Sequence, residues 1–204
     1  TSGEKCLNIL KRSKGEKVEK HFEIENRCLL RCRHCSSCAN SDGLPMEYSI
    51  EDMTRFLSKV EEEKTILLTG GEPLLHPKLN DLLYTLNTSL TGVKVGLFTT
   101  GIIENGEEID GISKTYAKQM YSNGLKMCYL SVYSTQKEIH DWMTNCTGSF
   151  EMLKRSVFHL KEAGIEVNFN SVVSKINKKS LGKIIDMASE WGINEVRFLK
   201  LIKH

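Results

Sequence analysis

The stretch RCLLRCRHCSSCAN (27–40) holds four of the chain's seven cysteines within eleven residues. Cys28, Cys32, Cys35 and Cys38 stand in the spacing C-x3-C-x2-C-x2-C. Thiolates bind soft metals, and a short irregular loop lets several sulfurs converge on one centre. On spacing alone two readings stay open. A structural zinc site would use all four sulfurs, although such sites are more often assembled from two separated C-x2-C pairs, and no second pair is present. A cubane iron-sulfur cluster would use three, Cys28, Cys32 and Cys35, and leave one iron open to a substrate or cofactor. A disulfide scaffold is the poorest fit, because seven is an odd number, the chain is not small, and the thiols crowd one loop. A reducing compartment suits them better.

Outward from this loop the chain alternates between strand-like and helix-like segments. Residues 21–26, 64–70, 93–100, 126–133, 165–173 and 195–201 read as strands, and the apolar run ILL before Thr69 suits a strand buried on both faces. Between them lie amphipathic helices. In 48–63, Met53, Phe56, Leu57 and Val60 share a face, with Ser49 as N-cap and Asp52 three residues on. Leu79, Leu82, Leu83 and Leu86 mark a second helix, and 113–121 a third. Phe150, Leu153, Val157 and Leu160 mark a fourth, starting near Ser149, and Leu181, Ile184, Ile185 and Ala188 a fifth. Strand-helix alternation predicts right-handed βαβ units on a parallel sheet. A closed eight-stranded barrel needs about 250 residues, so 204 residues favour an α/β fold built as a partial barrel or an open sheet, of which the partial (β/α)6 TIM-like barrel with parallel strands is the leading expectation. Residues 1–19 read as a basic, solvated leader and 20–204 as one core domain. In such folds the chemistry sits at the carboxyl ends of the strands, which is where the cysteine loop falls.

The second strand ends in GGEP, Gly70 to Pro73. Paired glycines permit positive φ and close backbone approach, while Pro73 fixes the exit direction. Backbone carbonyls there, and the Glu72 carboxylate, can accept hydrogen bonds from an ammonium group.

C-x3-C-x2-C after a first strand and GGEP after a second together resemble the radical S-adenosylmethionine (SAM) superfamily over nearly the full chain. The resemblance implies a [4Fe-4S] cluster on Cys28, Cys32 and Cys35, with Cys38 a bystander, and SAM on the open iron. It implies that Gly70, Gly71, Glu72 and Pro73 receive the amino group of SAM. His34 occupies a position where relatives carry an aromatic residue beside the adenine. Thr99 and Thr100 resemble a T-N-G-like segment, with Thr100 in place of the amide residue. Ser131 falls where related enzymes place a serine near the SAM ribose or carboxylate. Asn168 and Asn170 share a strand face, and Asn170 is the ribose candidate; Phe198, Leu199 and Lys200 are the adenine candidates, with Leu199 preferred. Cys128 reads as core, Cys146 as a loop thiol with a possible substrate-facing role, and His140 and Asp141 as braces of their loop.

The chemistry so implied is reductive cleavage of SAM to a 5′-deoxyadenosyl radical that abstracts hydrogen from substrate. The segment SVYSTQKEIHDWMTNCTGSF (131–150) is similar to radical SAM enzymes that modify peptides, so a peptide or protein substrate leads. The alternatives are a small molecule such as a nucleotide, and a zinc-stabilised domain without catalysis. A low-potential electron donor such as flavodoxin or ferredoxin is expected as a partner.

Composition agrees with a globular enzyme: 40% hydrophobic and 26% charged residues. A net charge of +2 gives no reason to expect nucleic acid as a partner. No run reaches the roughly 18 to 20 apolar residues that a bilayer requires, and the first residues show no apolar signal core, so no membrane association and a cytoplasmic location are expected.

Overall fold

A computed structural model describes residues 19–43, 48–58 and 65–201; the expected leader lies outside this set except for Glu19, the first residue of a strand. In chain order the elements are β1 (Glu19–Glu25), α1 (Ile50–Ser58), β2 (Thr65–Gly70), a 3-10 turn (Pro73–Leu75), α2 (Leu79–Ser89), β3 (Lys94–Thr99), β4 (Ile102–Asn105), β5 (Glu108–Gly111), α3 (Lys114–Ser122), β6 (Leu125–Ser131), α4 (Lys137–Thr144), α5 (Ser149–Glu162), β7 (Glu166–Val173), α6 (Leu181–Glu190) and β8 (Val196–Lys200). The six expected strands form one parallel sheet in the order β1-β2-β3-β6-β7-β8. Each pairs with the next strand of this series, the adjacency expected of successive βαβ units.

The sheet is curled into a half-barrel. Laid flat, β1 and β8 would stand about 24 Å apart at the usual strand spacing. Instead the Arg197 guanidinium on β8 meets the Glu19 carboxylate on β1 at 2.7 Å through both terminal nitrogens. The same guanidinium lies over the Tyr129 ring of β6, 3.9 Å from its centroid.

Period-two alternation assigns the two faces different work. Ile24, Ile66, Leu68, Leu97, Leu130, Val167 and Phe169 point outward into the main core beneath the helices, none more than 4% exposed. Each such side chain contributes roughly 1.5–3 kcal/mol by leaving water. The concave face has its own small apolar cluster, Leu67, Met127 and Tyr129 with Phe98 against it. Helix starts follow expectation: Ser49 Oγ accepts from Asp52 N at 3.0 Å while donating to Asp52 Oδ2 at 2.8 Å, and Ser113 accepts from Tyr116 N.

Two elements differ from the sequence reading. Residues 102–111 form an antiparallel hairpin, β4–β5, around Gly106 at φ 68°. Residues 137–144, expected as loop, form α4, closed by Asn145 in the left-handed region. Among the described residues no helix is long and apolar enough to cross a membrane.

Candidate active site

The loop after β1 is tied down at both ends. Cys28 N donates to Asn40 O at 3.0 Å and Cys35 N to Cys32 O at 3.1 Å. Between the latter two cysteines, Arg33 is clamped to the end of α4. Its backbone N–H donates to Met143 O, its Nε to Trp142 O at 3.0 Å and its Nη2 to Asn145 Oδ1 at 3.1 Å, with the guanidinium over the Trp142 ring. A cation is favoured there because a helix C-terminus presents its last carbonyls and the negative end of its dipole. Thus α4 exists in part to hold the cysteine loop.

Three of the four clustered cysteines open onto one cavity of about 320 Å3 at the carboxyl ends of the strands: Cys28, Cys32 and Cys35. Cys38 does not; it is exposed, its backbone is left-handed at φ 49°, and its thiol faces Cys35 O at 3.9 Å. Burial first, then neighbouring acidic groups, pushes the Cys28 and Cys32 thiols up to about 12. Sulfurs in such surroundings ionise only beside a cation. Among the described residues no three such side chains converge around a single ion. A lone zinc would need its sulfurs about 2.3 Å from one point, whereas a cubane spreads three ligands over three irons. The donor set therefore fits a cluster better than a four-thiol zinc site.

The second motif is stitched to the first. Gly71 N donates to Glu25 O and Glu72 N to Arg27 O, both at 2.7 Å. A Cβ on Gly70, whose φ is 142°, would lie 2.1 Å from Glu25 O, and one on Gly71 would lie 2.2 Å from Arg27 O. No other residue type fits either position. Pro73 opens the 3-10 turn. Arg27 itself grips the Glu25 carboxylate with two nitrogens and reaches Leu75 O.

Glu72 departs from its expected role. Its carboxylate is fully buried and accepts from Leu74 N at 3.1 Å, Thr99 Oγ1 at 2.5 Å, Thr100 Oγ1 at 2.5 Å and Thr100 N at 2.8 Å. Four donors occupy the four acceptor positions of a carboxylate, so no lone pair is left for an ammonium group. Burial still raises its pKa against these four bonds. The side chain is a rivet between the ends of β2 and β3, and the neighbouring Gly70 and Gly71 line the cavity. Thr100 lines the cavity too, but its hydroxyl is committed to Glu72.

The far wall carries Ser131, Tyr133, Asn170 and Leu199, with His34 and Arg197 also lining the space. His34 Nδ1 and Asn170 Oδ1 are buried with no hydrogen-bond partner among the described residues. Such atoms cost roughly 1–3 kcal/mol each unless a ligand meets them. Two orphaned polar atoms, a glycine cradle no Cβ could enter, and three sulfurs together fit the cluster-plus-SAM assembly. The lower wall of the cavity includes Phe98 and His21, whose rings lie 4.9 Å apart.

Tyr133 is held in place on every side. Its ring meets His34 edge-on at 4.3 Å and stacks on His140 at 5.6 Å. Its N–H donates to His140 Nδ1 and its carbonyl accepts from Asn177 Nδ2. Burial, then Cys32, raises the phenol's pKa, with the Ser131 hydroxyl opposing. Asp141 caps α5, accepting from Gly148 N, Ser149 Oγ and Phe150 N. Cys128 is fully buried in the main core. Cys146 packs against the cysteine-loop cluster and lines a separate groove beside Arg33 and Trp142, outside the cavity. Phe198 and Lys200 alternate away from the cavity while Leu199 lines it.

The sequence reading did not single out Arg33 or Tyr133, and it named Thr99 without its bond to Glu72. Comparison with known proteins supplies the wider context. A family model described as "Radical SAM superfamily" matches residues 22–188. An AdoMet-dependent heme synthase of Oleidesulfovibrio alaskensis is 27% identical over 173 residues, covering 84% of this chain and 42% of that protein. The antilisterial bacteriocin subtilosin biosynthesis protein AlbA of Bacillus subtilis is 27% identical over 171 residues, covering 83% of this chain and 35% of that protein. In fold, the crystal structure of Streptococcus suis SuiB bound to precursor peptide SuiA superposes with a TM-score of 0.73 at 16% identity, over 90% of this chain and 39% of SuiB. The chain thus spans less than half the length of these relatives.

Proposed function

Because the chain belongs to the radical SAM superfamily, we propose that it holds a [4Fe-4S] cluster on Cys28, Cys32 and Cys35, binds SAM in the adjoining cavity, and abstracts hydrogen from a peptide or protein substrate. The observation that carries this reading is the convergence of those three thiols, the Gly70–Gly71 backbone and two orphaned polar atoms on a single cavity. When bound, the cluster and SAM supply reductive cleavage of a carbon-sulfur bond to a 5′-deoxyadenosyl radical.

This chain's own residues bind, orient and shield. Arg33 and α4 fix the cysteine loop; Glu72, Thr99 and Thr100 fix the backbone that meets the methionine end of SAM. Ser131 and Asn170 face the ribose, while His34 and Leu199 flank the adenine. The curled sheet and its outer helices keep water from the cavity floor. The electron comes from a low-potential donor of the flavodoxin or ferredoxin type.

The bacteriocin-biosynthesis relative and the peptide-bound fold relative favour a peptide substrate. A small molecule is the second reading, favoured by the heme synthase relatives. The test is anaerobic reconstitution with iron and sulfide, followed by reduction with SAM present. The brown iron-sulfur absorption and 5′-deoxyadenosine are expected from wild type, both are lost in Cys32→Ala, and both persist in Cys38→Ala. A colourless, zinc-containing protein that forms no 5′-deoxyadenosine would sink the proposal. Faster 5′-deoxyadenosine formation with a linear peptide than with an iron porphyrin decides between the substrate classes.

A further inference from the structure

The concave face of the sheet and its mouth carry two phenols, treated in opposite ways. Tyr129 OH donates to Glu195 Oε2 at 2.8 Å and accepts from Arg197 Nη2, and it sits outside the cavity wall. Tyr133 lines the cavity itself. A cavity built to contain a carbon radical would be expected to exclude a phenol, because its O–H bond is weaker than the alkyl C–H bond that such a radical forms. Alcohol O–H and imidazole N–H bonds are too strong to surrender a hydrogen atom to an alkyl radical, which removes Thr99, Thr100, Ser131 and His34 as donors. The three cavity thiols are committed to the cluster as thiolates. Among the described residues lining the cavity, that leaves Tyr133 with the weak, solvent-exchangeable hydrogen. Its ring is also gripped between His34 and His140, so it cannot swing away.

We propose that Tyr133 is the hydrogen-atom donor that quenches the 5′-deoxyadenosyl radical when no substrate fills the cavity. The inference rests on the function proposed above. The phenolic O–H bond breaks homolytically and a C5′–H bond forms, giving 5′-deoxyadenosine and a Tyr133 phenoxyl radical. One electron from the low-potential reductant and one proton from solvent then restore the phenol. The protein itself is spared random oxidation, and the cavity is returned ready for substrate.

The experiment is substrate-free cleavage of SAM by the reconstituted enzyme in deuterated, thiol-free buffer. Mass spectrometry should find one solvent-derived deuterium in most of the 5′-deoxyadenosine. Tyr133→Phe, which keeps the ring, should lose that label while retaining the iron-sulfur absorption; Tyr129→Phe should keep the label. Freeze-quenched wild-type samples should show a phenoxyl electron paramagnetic resonance signal that narrows with ring-deuterated tyrosine and is absent from Tyr133→Phe. Unlabelled product from wild type, or labelled product from Tyr133→Phe, overturns the role of Tyr133 and leaves the functional reading intact. Absence of 5′-deoxyadenosine altogether overturns both.

Discussion

Leu97 and Phe98 are adjacent in β3, yet they belong to different worlds. Leu97 is fully buried under the helices, whereas Phe98 faces a cavity. The same contrast repeats across the sheet. Phe169 lies in the apolar core, and its neighbour Asn170 lines the cavity with an orphaned carbonyl oxygen. One face is built mainly from apolar contacts, although the buried Ser171 hydroxyl beside Phe169 is unpartnered among the described residues, and the other brings the orphaned Asn170 oxygen to the cavity, where a ligand can meet it. A domain can therefore hold its stability and its chemistry on one set of strands, separated by a single residue step.

Substitutions on the two faces should separate these properties. The largest expected effect is Phe169→Ala on the convex face, which should lower stability by about 4 kcal/mol through cavity formation. Denaturant titration should show it, while SAM affinity of the folded fraction is unchanged. Next is Glu72→Ala, which strands four donors at the seam between the faces and should cost about 3 kcal/mol. It should impair both thermal stability and SAM binding, the one position where the comparison is expected to break. Asn170→Ala on the concave face should do the reverse of Phe169→Ala. SAM affinity of the reconstituted protein, read by calorimetry, should fall about tenfold, or ~1.4 kcal/mol, with the unfolding midpoint of the unloaded protein not lowered, because the side-chain oxygen has no partner to lose. Smallest is Arg33→Ala, worth about 1 kcal/mol for its exposed hydrogen bonds. It should speed iron release to a chelator with little change in unfolding midpoint.

The sheet was legible in the sequence because each buried strand is a short apolar run set between glycines and amphipathic helices, a pattern local to the segment. The three cavity cysteines were legible for the same reason. What escaped depends on distant partners. Nothing near Glu72 announces that Thr99 and Thr100 will fill its lone pairs, and Arg33 finds its acceptors 109 and 112 positions away. Helix α4 was hidden because its buried positions are His140, Met143 and Thr144, of which just one is apolar. The β4–β5 hairpin had a readable signal in Gly106, the first of the two loop residues Gly106–Glu107, since glycine supplies the positive φ that tight hairpin turns need. Tyr133 was passed over because a tyrosine at a strand end reads as ordinary packing until the cavity beside it is seen.

The Arg197–Glu19 bridge carries a consequence for the order of assembly. Every pairing within the sheet joins strands consecutive in the parallel series, but this bridge joins residues 178 positions apart. Because β1 and β8 are brought together only through the four strands between them, the bridge should form after those strands have paired. The half-barrel should thus mature from its middle strands outward, with its two rims meeting only at the end. Amide exchange should report the edges β1 and β8 as the earliest to breathe, leaving β3 and β6 as the slow-exchanging nucleus.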